Sequence, residues 1–204
     1  MQANPSAPWW NSRVESWTVS SQEDLDHFLR NWGASAPPRL ERRGQQKQLE
    51  AFVLNRLLRQ LEIKYVFGFP LTVTPCENPD FKVRGPNYAA GIEIVEACDP
   101  REQAEMTQLA RADARSREGY VHLKDVDFPG KAEKFAKLVK GAIDRKALRA
   151  STAVDHLLIY SNTDADAFED KTWKQNALLG VNSSKLQFQR VWIISGDHLL
   201  TIKE

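Results

Sequence analysis

Apolar and polar positions follow a helical period in some parts of this chain and a two-residue period in others. Between Leu40 and Leu61, the residues Leu49, Phe52, Val53, Leu54, Leu57, Leu58 and Leu61 recur at helical spacing and predict a long amphipathic helix. Upstream, Ser20 followed by Glu23 has the form of a capping box and predicts a short helix ending near Trp32. Gly33 to Pro38 then reads as a connector. From Lys64 to Ala97 the period shortens. The runs KYVFGF, LTVTP, PDFKV and GIEIVEA are rich in β-branched and aromatic residues, are separated by Gly, Pro and Asn, and predict strands.

The second half alternates between the two periods. Asp99-Pro100 opens a predicted helix over 101–118 that is polar nearly all round and therefore peripheral. After the Phe128-Pro129-Gly130 turn, a helix from Lys131 to Arg149 carries the apolar stripe Phe135, Leu138, Val139, Ala142 and Ile143. HLLIYSN is a continuous apolar run of the kind buried in parallel sheets. Asp164 to Leu179 reads as helical, and VWIIS and HLLTI, joined through Gly196-Asp197, form a predicted hairpin. This order implies an α/β sandwich with a mixed sheet. Residues 1–38 are expected to form an amino-terminal arm with one short helix, and 39–204 the main domain. In the arm, Trp9, Trp10 and Trp17 are expected to dock on the body.

Composition narrows the class. At 204 residues, with 42% hydrophobic and 27% charged residues, the chain matches a soluble globular protein able to bury a core. No apolar run approaches the roughly 18 to 20 residues of a membrane span. The amino terminus lacks the pattern of a secretory signal, so a cytoplasmic location is the expectation. Two cysteines, Cys76 and Cys98, are too few for a disulfide framework or a zinc site. The net charge of +1 leaves nucleic-acid binding open, because a polyanion needs only a local basic face. Two such stretches exist: Lys131 to Arg149, and Arg39, Arg42, Arg43 and Lys47. Each also fits an ordinary solvated surface.

Four residues stand out for chemistry. Asp80 follows Pro79 at the start of PDFKV, and Glu93 lies between Ile92 and Ile94. Strand alternation sets Glu93 and Val95 on the face opposite the two isoleucines. If these two strands pair antiparallel, the Asp80 and Glu93 carboxylates can converge. Converging oxygen ligands with open water positions suit Mg²⁺, which can activate water and stabilise a phosphodiester under attack. The plainer alternative is a pair of acids that solubilise an edge strand. Glu50 projects onto the buried stripe of its helix, where a carboxylate requires a partner or a purpose. Lys146 falls on the apolar stripe of the later helix, where it either snorkels outward or points into a polar pocket.

A helix bearing Glu50, then Pro79-Asp80, then a strand with Glu93-Ile94-Val95, resembles the signature of the PD-(D/E)XK, restriction-endonuclease-like nucleases. PDF followed by GIEIVEA is similar to a subgroup from restriction-like and mobile-element enzymes. The resemblance spans roughly residues 45 to 160. It implies a three-layer α/β/α sandwich with a central mixed sheet, and hydrolysis of DNA phosphodiester bonds with Mg²⁺, Mn²⁺ able to substitute. Asp80 and Glu93 would be metal ligands, with Glu50 completing the set. The family lysine is replaced by Val95, and Lys146 is the candidate substitute, ahead of Lys140 and Lys82. DNA is the implied partner, held along its phosphates by Arg42, Arg43, Lys47, Lys82, Lys131, Lys134, Lys140 and Arg145. A homodimer would suit cleavage of both strands, in phage defence or a mobile element. The alternative is an inactive nuclease fold that binds nucleic acid or a protein, which Val95 favours.

Other constellations carry little. Cys76, Cys98, His122 and His156 lack zinc-site spacing, and no serine elbow, GxGxxG or P-loop is present. His156 reads as a structural histidine at the start of a core strand, and Trp173 and Trp192 as core residues.

Overall fold

A computed structural model describes residues 14–37, 42, 44–113, 130–147, 154–163, 170–181 and 188–203. The protein is α/β. Its elements run β1 (Trp17–Val19), α1 (Gln22–Leu29), α2 (Gln46–Gln60), α3 (Ile63–Val66), β2 (Leu71–Pro75), β3 (Phe81–Arg84) and β4 (Ala89–Ala97). They continue with α4 (Pro100–Asp113), α5 (Lys131–Ala147), β5 (His156–Ser161), α6 (Lys171–Ala177), β6 (Arg190–Ser195) and β7 (His198–Lys203). The strands follow the order β1-β2-β3-β4-β5-β6-β7 in one seven-stranded sheet. The chain divides into two compact units, residues 1–94 with 151–156, and residues 95–150 with 157–204.

In the first unit, β1 to β4 form an antiparallel meander. Val73 lies opposite both Trp17 and Val83, and Phe81 opposite Ile92. Alternation sorts the side chains as it must in a half-buried sheet. Leu71, Val73, Phe81, Val83, Ile92 and Ile94 are buried, whereas Lys82 and Arg84 are exposed. Thr18 and Thr72, directly opposite on β1 and β2, share a hydroxyl hydrogen bond of 2.9 Å. Asp155, just before β5, donates its N–H to Gly91 and accepts the Gly91 N–H through its carboxylate. Farther along, in the second unit, Asn162 donates to the Ala97 carbonyl. Both contacts advance in the same direction, so β5 runs parallel to β4 and the sheet is mixed.

Helix α2 carries Leu49, Val53, Leu54, Leu57 and Leu58 into the core, as its apolar period requires. It begins at Gln46, later than the expected Leu40, although residues 38–41 and 43 lie outside the described ones. Its buried Asn55 joins two helices. The Asn55 amide donates to the carbonyls of Leu29, 2.8 Å away, and of Trp32, and its oxygen accepts from Arg59 Nε at 2.7 Å. These bonds satisfy carbonyls left over where α1 ends. Gly33 follows in the left-handed region at φ 62°, and a Cβ there would lie 2.6 Å from the Ala51 carbonyl oxygen. Only glycine allows α1 to turn this close to α2.

The second unit is built on its own apolar stripe. On α5, Phe135, Val139, Ala142 and Ile143 are buried, and the Phe135 ring stacks on Trp173 of α6 at 6.5 Å. The expected closing hairpin is present as β6 and β7, with Gly196 in the left-handed region between them. Lys174 of α6 is fully buried and donates to the Ser195 carbonyl at 3.1 Å.

Three local expectations need correction. The start of KYVFGF, Lys64 to Val66, lies in the short helix α3 and not in a strand: Ile63 and Phe67, four apart, are buried while Tyr65 is exposed. The α1 cap is Ser21, whose Oγ accepts from the Asp24 N–H at 3.1 Å, and not Ser20. The amino-terminal arm, expected to hold one short helix, also contains the strand β1. The Trp17 ring packs within the arm, against Phe28 at 4.5 Å and Trp32 at 5.2 Å, while its backbone pairs with Val73 of β2. Trp9 and Trp10 lie outside the described residues, as do 114–118 of the predicted peripheral helix and 164–169 of the predicted α6 segment. Among the described residues, no helix is long and apolar enough to cross a membrane.

Replacing Asn55 with Ala takes a donor from the Trp32 carbonyl and leaves the Leu29 carbonyl to Arg59 Nη2 alone, while Arg59 Nε loses the Asn55 oxygen. We expect Asn55→Ala to lower the unfolding free energy by about 1–3 kcal/mol, the cost of leaving buried acceptors unmet. Urea titration followed by far-ultraviolet circular dichroism checks this, and an unchanged midpoint would remove Asn55 as the link between α1 and α2.

Candidate functional site

The site grows from the turn between β2 and β3. Glu77, Asn78 and Pro79 are turn-forming in context, and the loop closes with the Cys76 N–H donating to the Asp80 carbonyl at 2.9 Å. The Asn78–Pro79 peptide is cis. Asp80 emerges from this turn nearly buried, one residue ahead of β3. Continuing the β3–β4 register one step past Phe81↔Ile92 sets Asp80 across from Glu93. The antiparallel pairing expected for these two acids is therefore present. Past the end of the ladder, the Ile94 N–H lacks a β3 carbonyl. The Asp80 Oδ2 takes its place, accepting that N–H at 2.7 Å. Asp80 is thus fixed by β4, and its second oxygen is left to face α2.

Helix α2 answers with Lys47 and Glu50, one turn apart. Glu50 is 6% exposed, as its position on the apolar stripe predicts. The Lys47 Nζ lies 2.9 Å from Glu50 Oε2 and 3.4 Å from Asp80 Oδ1. The same ammonium donates to the Cys76 carbonyl at 2.5 Å and approaches the Asp80 carbonyl at 3.5 Å. Below it is the Phe81 ring, with its centroid 5.7 Å away. Gln46 holds the other Glu50 oxygen, donating to Oε1 at 3.1 Å. Lys47 borders a groove of about 600 Å³ of mixed polarity, lined also by Gly44, Gln46, Pro75, Cys76 and Glu77.

The charges are unequal. Burial pulls the Lys47 pKa down, but hydrogen bonding and attraction to Glu50, and then to Asp80, outweigh it and leave the group raised above 10.5. Burial raises the Glu50 pKa, repulsion from Asp80 raises it further, and the bonds from Lys47 and Gln46 do not cancel the rise. Taken singly, the two shifts disagree about whether the ion pair is favourable. Both follow from stoichiometry: Lys47 answers to two carboxylates, while Glu50 shares its one cation with a second acid.

Glu93 is half-buried on β4, with Ile92 and Ile94 on the buried face as alternation requires. Among the described residues, no three His, Cys, Asp or Glu side chains gather as a metal-binding group. Lys146 is half-buried near the end of α5, in the second unit. Of the residues expected along phosphates, Lys82 is exposed on β3 and Arg42 donates to the Pro37 carbonyl. Arg43 lies outside the described residues. Lys131 is 9% exposed, Lys134 is ion-paired with Asp99 and Glu102, and Lys140 with Asp144. Arg145 is exposed and donates to the Glu96 carbonyl. Two of the basic residues of α5, Lys134 and Lys140, are therefore met by neighbouring acids. The residue whose place sequence reasoning missed is Lys47, expected on phosphates and found between the acids. Its spacing of three from Glu50, one helical turn, was the available signal. No protein-family model, curated protein or solved structure matches this chain.

A raised Glu50 pKa has a definite sign for stability. The folded state holds that proton more tightly than the unfolded chain, so stability falls as pH rises from 4.5 through the folded value. Ionised Glu50 is a burden at neutral pH. We expect Glu50→Gln to raise the Tm at neutral pH, with the gain fading below pH 4.5, where the wild-type carboxyl is protonated in both states. Thermal melts of both proteins across this range test it. A Glu50→Gln protein less stable at neutral pH would mean that the Lys47 bond outweighs burial and repulsion.

Proposed function

We propose that this chain is a metal-dependent nuclease that hydrolyses DNA phosphodiester bonds, with Asp80, Glu93 and Glu50 as the acids of its site. The observation that carries this reading is the placement of the buried acids Asp80 and Glu50 around a single shared ammonium, at the end of the antiparallel β3–β4 pair whose strand β4 bears Glu93. The same reading takes the α/β chain as the three-layer, restriction-endonuclease-like sandwich.

The donor set fits a hard divalent ion. Carboxylate and carbonyl oxygens are the ligands that Mg²⁺ and Mn²⁺ prefer, and a cationic group already lies among them in Lys47. Bound by Asp80, Glu93 and Glu50, such an ion supplies Lewis-acid stabilisation of the phosphodiester and an activated water. The chain's own residues prepare the rest. The Ile94 N–H fixes the Asp80 carboxylate, so that little reorganisation is left for the reaction. The groove beside Lys47 offers DNA a way in, and Lys82, in the same unit, is exposed to meet phosphates. Lys146 stands as the proposed substitute for the lysine that Val95 replaces.

One observation favours the second reading, an inactive fold that binds nucleic acid or protein. Among the described residues no third acid joins Asp80 and Glu50 in a preformed metal group, and Lys47 already answers both carboxylates.

Wild type and Asp80→Asn, which keeps an oxygen acceptor for Ile94, separate the two. Supercoiled and linear DNA are incubated with each protein in Mg²⁺, in Mn²⁺ and in EDTA. We expect metal-dependent nicking by wild type and a loss of roughly 100-fold or more in the variant, the scale of removing a group that stabilises transition-state charge. DNA retained on a filter without cleavage in any metal would instead establish the binding module.

A further inference from the structure

On the basis of this nuclease reading, we infer that Lys47 is the built-in counter-ion of the acid site, and that a divalent cation binds there only by displacing its ammonium from between Glu50 and Asp80. The reason lies in how the ammonium is surrounded. Four oxygens lie within 3.5 Å of Nζ: Glu50 Oε2, Asp80 Oδ1 and the carbonyls of Cys76 and Asp80. An ammonium has three N–H donors, so four oxygens exceed what directed hydrogen bonding can serve. The arrangement is that of oxygens gathered around a positive charge. Two are carboxylate and two are backbone carbonyl, and the two carbonyls are held in place by the turn that closes through Cys76 and Asp80. The aromatic face of Phe81 lies on one side of the charge.

Displacement is open to Lys47 in a way that it is not to a residue packed on all sides. Its side chain is 28% exposed and borders the groove, so a flexible four-carbon stem can carry the charge outward while its base stays on α2. Asp80 and Glu50 cannot follow. Asp80 is tied to Ile94, and Glu50 is buried and tied to Gln46. The acids stay, and the cation between them is the exchangeable part. An ammonium moved into the groove would remain beside the site, where an approaching phosphate would meet it.

Competition of this kind is read directly with Mn²⁺ as the probe, without DNA or activity. Mn²⁺ affinity is measured by calorimetry on wild type, Lys47→Met, Lys47→Gln and Lys47→Arg, after circular dichroism has verified folding. We expect either neutral variant to bind Mn²⁺ about tenfold more tightly than wild type, and to gain more in Tm from Mn²⁺ than wild type does. Lys47→Arg, which keeps the charge, is expected to bind no more tightly than wild type. A measurement on the unmodified protein stands beside the variants: Mg²⁺ should speed reductive methylation of the Lys47 amine, mapped by peptide mass. Neutral variants that bind Mn²⁺ equally or more weakly, or a methylation rate indifferent to Mg²⁺, would overturn the displacement while leaving a metal site in place. If neither wild type nor a folded neutral variant binds Mn²⁺, both the displacement and the metal-dependent reading fall.

Discussion

One ammonium shared between two carboxylates in a half-enclosed space is the constraint around which the first unit is arranged. Two acids brought together in a medium of low polarisability repel each other and resist burial, and neither force weakens unless something positive lies between them. Lys47 meets that need incompletely. Its own proton is held more firmly than usual, whereas Glu50 keeps a raised affinity for a proton despite the pair. A fold under selection for stability alone would place a leucine at position 50, in line with Val53, Leu54 and Leu57.

The surrounding elements make sense as the frame of that pair. Strand β4 supplies the N–H that fixes Asp80, and β3 supplies Phe81, whose ring lies beneath Lys47. The Trp32 ring meets Phe81 edge-on at 6.3 Å, and Trp17 and Phe28 pack on Trp32 in turn. A continuous run of aromatic rings therefore leads from the amino-terminal strand to the charged group. Rings of this size contribute through buried area and through edge-to-face contact, each worth on the order of 1 kcal/mol beyond area.

What could be read from the sequence was whatever depends on period. The stripe on α2, and with it the burial of Glu50, follows from leucines at helical spacing. The alternation of Ile92, Glu93 and Ile94 foretold which side of β4 is buried, and Gly196-Asp197 marked the hairpin. Features that depend on partners distant in the chain were not legible. Trp17–Val19 becomes a strand because β2 offers it an edge, which three residues of local sequence do not announce. KYVFGF carries strand-forming residues, yet its start, Lys64 to Val66, winds into α3, with Ile63 buried one residue earlier. By its sequence Lys47 is one more member of the basic stretch that begins at Arg39. Its engagement with Asp80, thirty-three residues on, exists only after β3 has been laid beside β4.

The bracket that Asn55 forms between α1 and α2 changes what the amino-terminal segment is. Asn55 lies on the same helix as Lys47 and Glu50, about two turns farther along, and its amide is spent on carbonyls at Leu29 and Trp32. A shortened expression fragment that begins after Gly33 would leave that amide facing a void and strip Trp32 from Phe81. The arm is thus part of the site's foundation, and a minimal version of the domain has to start no later than Trp17.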